Sequence, residues 1–160
     1  METVSYRPIG VIHSPFKIAK GMPIQPVAAE GVEGTVEIEP MYAAGLRDVE
    51  GFSYIILIYH FHLSEGCSLV VKPFLDDEVH GVFATRAPSR PNAIGMSVVR
   101  LLGVEGHLIH VADVDILDGT PLLDIKPYVP EFDVRRADRI GWFSKAKRSV
   151  RDVRADERFS

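Results

Sequence analysis

The sequence predicts a mainly β, single-domain protein, a β-barrel or sandwich, and three observations carry that expectation. Between Tyr6 and Tyr128, short apolar and β-branched runs alternate with turn residues at the spacing of barrel or sandwich strands. No strand–helix–strand unit and no Gly-x-Gly-x-x-Gly occurs, which argues against a Rossmann nucleotide fold. A chain of 160 residues is long enough for one substantial core and too short for two ordinary domains.

The elements follow in order. "RPIGVIHS" reads as the first strand, and "GTVEIEP" as a half-buried one with Val36 and Ile38 on the opposite face from Thr35, Glu37 and Glu39. "MYAAGLRDVEGF" is the best short helix, ending near Gly51. "SYIILIYHFH" is too uniformly apolar for a one-faced surface strand and is expected to cross the core. "SLVVKPF", "HGVFATR", "MSVVRLLGVE" and "LIHVADVDIL" continue the strand pattern, and Asp118-Gly119 is a turn signal joining "ADVDIL" to "LLDIK", with a plain hairpin loop as the ordinary alternative. The character changes after "YVPEFD". Residues 1–133 form the expected barrel domain and residues 134–160 a charged C-terminal extension, a solvated helix or loose tail.

Composition narrows the function classes. A net charge of -4 argues against wholesale coating of nucleic acid but leaves room for a local basic patch. The single cysteine, Cys67, excludes an internal disulfide and a cysteine-rich zinc site, and it fits a reducing, cytoplasmic setting. No apolar run approaches the ~20 residues of a membrane-spanning helix, and "METVSYRPIG" has no signal-peptide core.

Three stretches carry chemistry. In "HFHLSEGC", His60 and His62 would share a strand face, with Glu65 and Cys67 close behind. A cupin-type metal enzyme uses such a pattern, but Tyr54 stands where a cupin has glycine and no second histidine motif follows. Packing at a strand end is the stronger reading, and a place in a ligand pocket is a third; the expected metal set is none. In "VDILDGTPLLDIKPYVP", Asp113, Asp115, Asp118 and Asp124 crowd one turn, where like charges repel unless a cation or donor meets them. In "ATRAPSRPNAIGMS", Pro88 and Pro91 fix the backbone around Arg86 and Arg90. Arg86 and Arg90 suit carboxylate, phosphate or a base face, unless internal ion pairs to those aspartates use them. Asn92 can read an adenine edge, and Gly95 permits close backbone approach.

Together "GVFATRAPSRPNAIGMS" and "DILDGTPLLDIKPYVP", with "RPIGVIHSPF" before them and "FHLSEG" between, resemble the TsaA-like, or TrmO, family of S-adenosylmethionine-dependent methyltransferases. The resemblance covers roughly residues 6 to 133, in order. It implies a single-domain β-barrel, a homodimer with the cofactor S-adenosylmethionine near the subunit interface, and tRNA as substrate. The methylated atom in characterised members is N⁶ of threonylcarbamoyl-adenosine beside the anticodon. Carried over by motif, cofactor contacts fall at Ile24, Gln25 and Pro26, at His62 and Leu63, at Arg86, at Met96, and along Asp115, Ile116, Leu117 and Asp118. Asp118 or Asn92 is expected to orient the acceptor nitrogen and Arg90 to hold phosphate or base, with Lys126 and Tyr128 as further candidates. Ala93 replaces a proline usual in the family, Ile24 replaces an arginine, and the chain ends without the additional C-terminal domain of longer members. An S-adenosylmethionine sensor without catalysis is the competing reading.

Overall fold

The computed structural model describes residues 2–146, 148–156, 158 and 159. These residues form eight strands: β1 (Gly10–His13), β2 (Gly34–Ile38), β3 (Tyr54–His60), β4 (Val70–Val71), β5 (His80–Gly81), β6 (Ile94–Glu105), β7 (Leu108–Ala112) and β8 (Thr120–Pro127). Six of them close into a barrel in the order β1-β2-β7-β6-β3-β8, every neighbouring pair antiparallel. The barrel, not the sandwich, is therefore the architecture, and closure leaves no long sheet edge exposed.

Strict alternation fills the interior. Ile12, Val36, Ile55, Leu57, Val99, Ile109, Val111 and Leu122 point inward and are fully buried. Val36 and Ile38 face inward as their sequence pattern requires, with Glu37 outside. The stretch from Tyr54 to His60 does not cross the core. It is a barrel stave whose Ile55, Leu57 and Tyr59 are buried and whose Ile56 and Ile58 lie half-buried on the outside, because pairing with β6 and β8 on either side forces period two. The apolar outer residues thus belong to a second, external face.

Four other expectations are corrected. The "MYAAGLRDVEGF" segment is two 3₁₀ stretches, Pro40–Leu46 and Val49–Gly51, and Asp48 at φ 67° breaks them apart. The α-helix among the described residues is a single turn, Pro130–Asp133. "SLVVKPF" and "HGVFATR" give only the two-residue ribbon β4–β5, which stands apart from the barrel. Asp118-Gly119 does not close a hairpin, since β7 and β8 are not neighbours and the connection 113–119 crosses one end of the barrel. Val114 and Ile116 from that connection plug the end of the core at 0% and 2% exposure, which is why the chain runs across it instead of turning back. The described part of residues 134–160 is neither helical along its length nor loose. A 3₁₀ turn at Gly141–Lys145 precedes bends and turns, and Ala155 bonds back to Gly21 and Met22; Lys147, Glu157 and Ser160 lie outside the described residues.

Candidate functional site

The loops at one side of the barrel surround a cleft of about 1850 Å³, larger than the ~300–1,000 Å³ of an ordinary small-ligand pocket. It has room for a cofactor and part of a second molecule. Its walls come from the 17–30 loop, the turn after β3, the 82–92 loop, the outward residues of β6, the 113–117 connection and the C-terminal extension.

The connection sorts its residues by alternation. Val114 and Ile116 go into the barrel while Asp115 goes to the cleft wall. There Ser97 Oγ donates to Asp115 Oδ1 at 2.6 Å, and the Tyr59 hydroxyl lies 3.0 Å from Ser97 Oγ. Burial pushes the Asp115 carboxyl up to about 6, against the opposing pull of the Ser97 hydrogen bond and the Arg86 charge. Burial, and then the Asp115 charge, pushes the Tyr59 phenol far above its ordinary range. This carboxylate therefore gains from a cation placed in the cleft.

The loop from Val82 to Asn92 is built to hold itself. Val82–Ala84 form a 3₁₀ turn, the Thr85 hydroxyl donates to the Val82 carbonyl and accepts from the Ala87 amide, and Arg90 Nη1 donates to the carbonyls of Thr85 (3.2 Å) and Ala87 (3.3 Å). Arg90 is thus engaged with its own loop although it also lines the cleft. Arg86 is exposed and, among the described residues, pairs with no aspartate; its Nη1 donates to Gln25 Oε1 at 2.8 Å, joining two walls. Asn92 is exposed on the cleft.

Of the other residues singled out by sequence, Ile24, Gln25, Pro26, His62, Leu63, Met96, Ile116 and Leu117 all line the same cleft. Leu63 and Met96 offer it exposed apolar surface, at 53% and 48%. His62 Nδ1 lies 3.3 Å from Thr120 Oγ1, and burial, then the charge of His60, holds the imidazole below its ordinary range. Among the described residues no three His, Cys, Asp or Glu side chains converge on a metal-sized site, and Cys67 is exposed.

Asp118 is outside the cleft. Its carboxylate accepts from Lys17 and from the Ser14 amide (3.1 Å), interactions that lower its pKa, and it borders a shallow groove on the other side of the connection. The crowded acidic turn is in fact dispersed: Asp113 accepts from the Gly31 amide and Asp124 pairs with Lys126. Lys126 and Tyr128 do not line the cleft, and the Tyr128 ring packs edge-on against Tyr54. Gly95 admits close approach, but of Tyr59: a methyl there would overlap the Tyr59 ring and press on Phe61.

Sequence reasoning missed Ser97, Tyr59 and Trp142. Ser97 is a polar residue on the inward face of β6, between Gly95 and Val99, and that break in the apolar alternation was the available signal. Trp142, the chain's one tryptophan, donates from Nε1 to the Ala84 carbonyl at 2.8 Å and stacks on His80 at 4.8 Å.

Residues 11–134 match the model of the tRNA-methyltransferase O N-terminal domain. The chain belongs to this family. It is 60% identical over 156 residues to a probable S-adenosyl-L-methionine-binding protein of Pyrococcus abyssi, covering 98% of this chain and 85% of that one. It is 36% identical over 133 residues to the human tRNA (adenine(37)-N6)-methyltransferase, across 79% of this chain but 30% of the human protein. The crystal structure of TrmO from Pseudomonas aeruginosa superposes with a TM-score of 0.74 at 41% identity, over 88% of this chain and 62% of that one. The TrmO barrel is therefore shared, while the chain spans less than two thirds of that solved relative. None of the described helices is long and apolar enough to cross a membrane.

Proposed function

We propose that this protein is an S-adenosylmethionine-dependent methyltransferase that acts on the N⁶ nitrogen of threonylcarbamoyl-adenosine beside the tRNA anticodon. Membership of the TrmO family supports the cofactor and the reaction class, and the named activity of the human relative supports the acceptor. The observation that carries the reading is the pair of opposite charges on the cleft, Arg86 and Asp115, with apolar Leu63 and Met96 beside them. A zwitterionic amino-acid end, a sulfonium and a flat adenine are the chemistry such a wall complements.

The residues fit the cofactor. Arg86 would take its carboxylate, Asp115 a cationic group, Met96 and Leu63 its apolar faces, with Ile24, Gln25, Pro26, His62, Ile116 and Leu117 completing the enclosure. Bound there, S-adenosylmethionine supplies a methyl carbon activated by its sulfonium. The chain's own task is alignment and exclusion of water. Asn92 orients the acceptor base through its paired donor and acceptor. His62, kept neutral by its surroundings, is able to take a proton from the acceptor. Arg90 stiffens the loop that presents Arg86, and Asp118 braces the far side of the 113–119 connection.

We infer also that two copies associate. Ile94, Met96 and Leu102 stand 41–49% exposed along the outside of β6, beside the half-buried Ile56 and Ile58, and Ile94 and Met96 are cleft residues as well. A second copy laid on that face would abut the cofactor. A tRNA substrate and the exposed Cys67 support a cytoplasmic setting.

The test is incubation of the purified protein with S-adenosylmethionine and tRNA carrying threonylcarbamoyl-adenosine, read by nucleoside mass spectrometry. A methyl gained on that nucleoside is the expected result. Cofactor binding without methyl transfer to any tRNA nucleoside would favour a sensor over an enzyme.

A further inference from the structure

We propose that the C-terminal residues 151–156, 158 and 159 act as a positioning strap that sets the separation of the two loops meeting at the cofactor, the one ending in Ile24–Pro26 and the one carrying Arg86. The proposal rests on the cofactor reading above. Nothing in the matched family region assigns this segment, because that region ends at residue 134.

One end of the strap is stitched to the first loop. The Ala155 amide donates to the Met22 carbonyl at 2.9 Å and the Gly21 amide donates to the Ala155 carbonyl at 2.7 Å, an antiparallel bridge that places Pro23 opposite Arg154. Met22 is 8% exposed under it, and Arg151 adds an ion pair to Glu30 at 2.9 Å. Ile24 follows Pro23 directly, so this bridge fixes the chain that enters the cofactor wall.

The other end is anchored beneath the second loop. Arg158 Nη1 donates to the carbonyls of Pro73 (3.0 Å) and Lys72 (3.3 Å), and its guanidinium lies 4.9 Å above the Phe74 ring. Phe159 meets Phe74 edge-on at 5.2 Å and packs on the cluster of Val71, Val82 and Ala87. Val82 opens the turn that leads to Arg86, and Ala87 follows Arg86 directly. Trp142, from the same extension, holds the Ala84 carbonyl between them. The two loops touch at the cleft through the Arg86–Gln25 hydrogen bond, and the strap, whose Arg151, Ala155, Asp156 and Phe159 also line the cleft wall, ties them together.

These attachments go to loops, whereas the barrel core of Ile12, Leu57, Val99, Ile109 and Leu122 is packed by the staves themselves. A ligand that needs both loops at one spacing gains affinity from their being pre-set. A strap that only stabilised the fold would leave affinity unchanged at temperatures well below unfolding.

The experiment compares Ala155→Pro, which deletes the amide bonded to Met22, with Ala155→Gly, which keeps it, and Phe159→Ala with Phe159→Leu, all in the full chain. S-adenosylmethionine affinity is read by titration calorimetry and the melting temperature of the ligand-free protein by calorimetric scan. Ala155→Pro and Phe159→Ala are expected to weaken binding about tenfold while melting remains cooperative, with wild-type affinity in Ala155→Gly and partial recovery in Phe159→Leu. In turnover the loss appears in the KM for the cofactor, not in kcat. Equal affinity across wild type and all four variants overturns the strap and leaves the cofactor reading intact. Failure of the wild type itself to bind S-adenosylmethionine overturns both. Should Ala155→Pro not fold, the Phe159 pair decides alone.

Discussion

The two sides of the connection between β7 and β8 carry the same side chain in opposite surroundings. Asp115 faces the cleft, takes one hydrogen bond from Ser97, and is raised to about 6 by burial. Asp118 faces away, takes the Lys17 ammonium and the Ser14 amide, and is lowered by them. One carboxylate is left wanting a cation and the other already has one. Chemistry at this barrel end is therefore decided by which neighbours a strand-like alternation delivers, and charge count along the sequence does not report it.

The sharpest break of that comparison is a pair of isosteric changes. Asp115→Asn is expected to weaken S-adenosylmethionine binding about 10- to 100-fold, the worth of a charge-assisted contact of roughly 1.5–3 kcal/mol, whereas Asp118→Asn should stay within about threefold. The same Asp115→Asn should raise the melting temperature at pH 7. The sign follows from linkage: a carboxyl raised from its ordinary 3.8 to about 6 holds its proton better in the folded state, so stability falls as pH rises through that window. At pH 4 the benefit of the asparagine should vanish. A cofactor affinity unmoved by Asp115→Asn would remove Asp115 from the binding wall.

Next in size is the support beneath Asp115. Gly95→Ala puts a methyl into the Tyr59 ring, and Tyr59 holds Ser97, which holds Asp115. Overpacking of this kind costs about 1–3 kcal/mol, so the melting temperature should drop. Tyr59→Phe, which keeps the ring and loses only its hydroxyl bond, should destabilise by about 1 kcal/mol. Chemical denaturation of the two variants beside wild type measures both.

A third effect is the pH dependence of binding, and it is smaller. With Asp115 titrating near 6 in the free protein, cofactor affinity should rise between pH 5 and about 7 and then level. His62 also faces the cleft and the Arg86 charge acts on Asp115, while the Tyr59 phenol, raised far above its ordinary range, stays neutral here. The Asp115→Asn variant therefore isolates any histidine contribution. A rise of unchanged size in that variant would assign the pH dependence to His62.

What could be read from sequence divides along the same physical line. Barrel staves were legible because alternation is a local property: Val36 and Ile38 declare their face in five residues. The cofactor contacts implied by the family resemblance, all but Asp118, line one cavity. What failed were statements about long-range partners. The placement of Asp118 depends on Lys17 and Ser14, about a hundred residues earlier, and the hairpin reading depended on two strands being neighbours when four others complete the ring between them. The extension looked loose because its charge dominated its composition, but a few anchors, Trp142, Ala155, Arg158 and Phe159, dock it.

The smallest expected effect lies on the Asp118 side and fixes the scale of the rest. Lys17 is 71% exposed, so its bond to Asp118 is worth only about 0–1 kcal/mol once water screens it. A carboxylate with a lowered pKa contributes its stability above its ordinary 3.8 and loses it as pH falls through the depressed value. Lys17→Met should thus lower stability slightly at pH 7, by less than about 1 kcal/mol, and by less still as pH falls below 3.8. The Ser14 amide would still hold Asp118 in that variant, since this bond belongs to the backbone that closes the barrel end. If Lys17→Met instead weakened cofactor binding as strongly as Asp115→Asn, the two sides of the connection would be coupled through the 17–30 loop, and the separation of a binding carboxylate from a bracing one would fail.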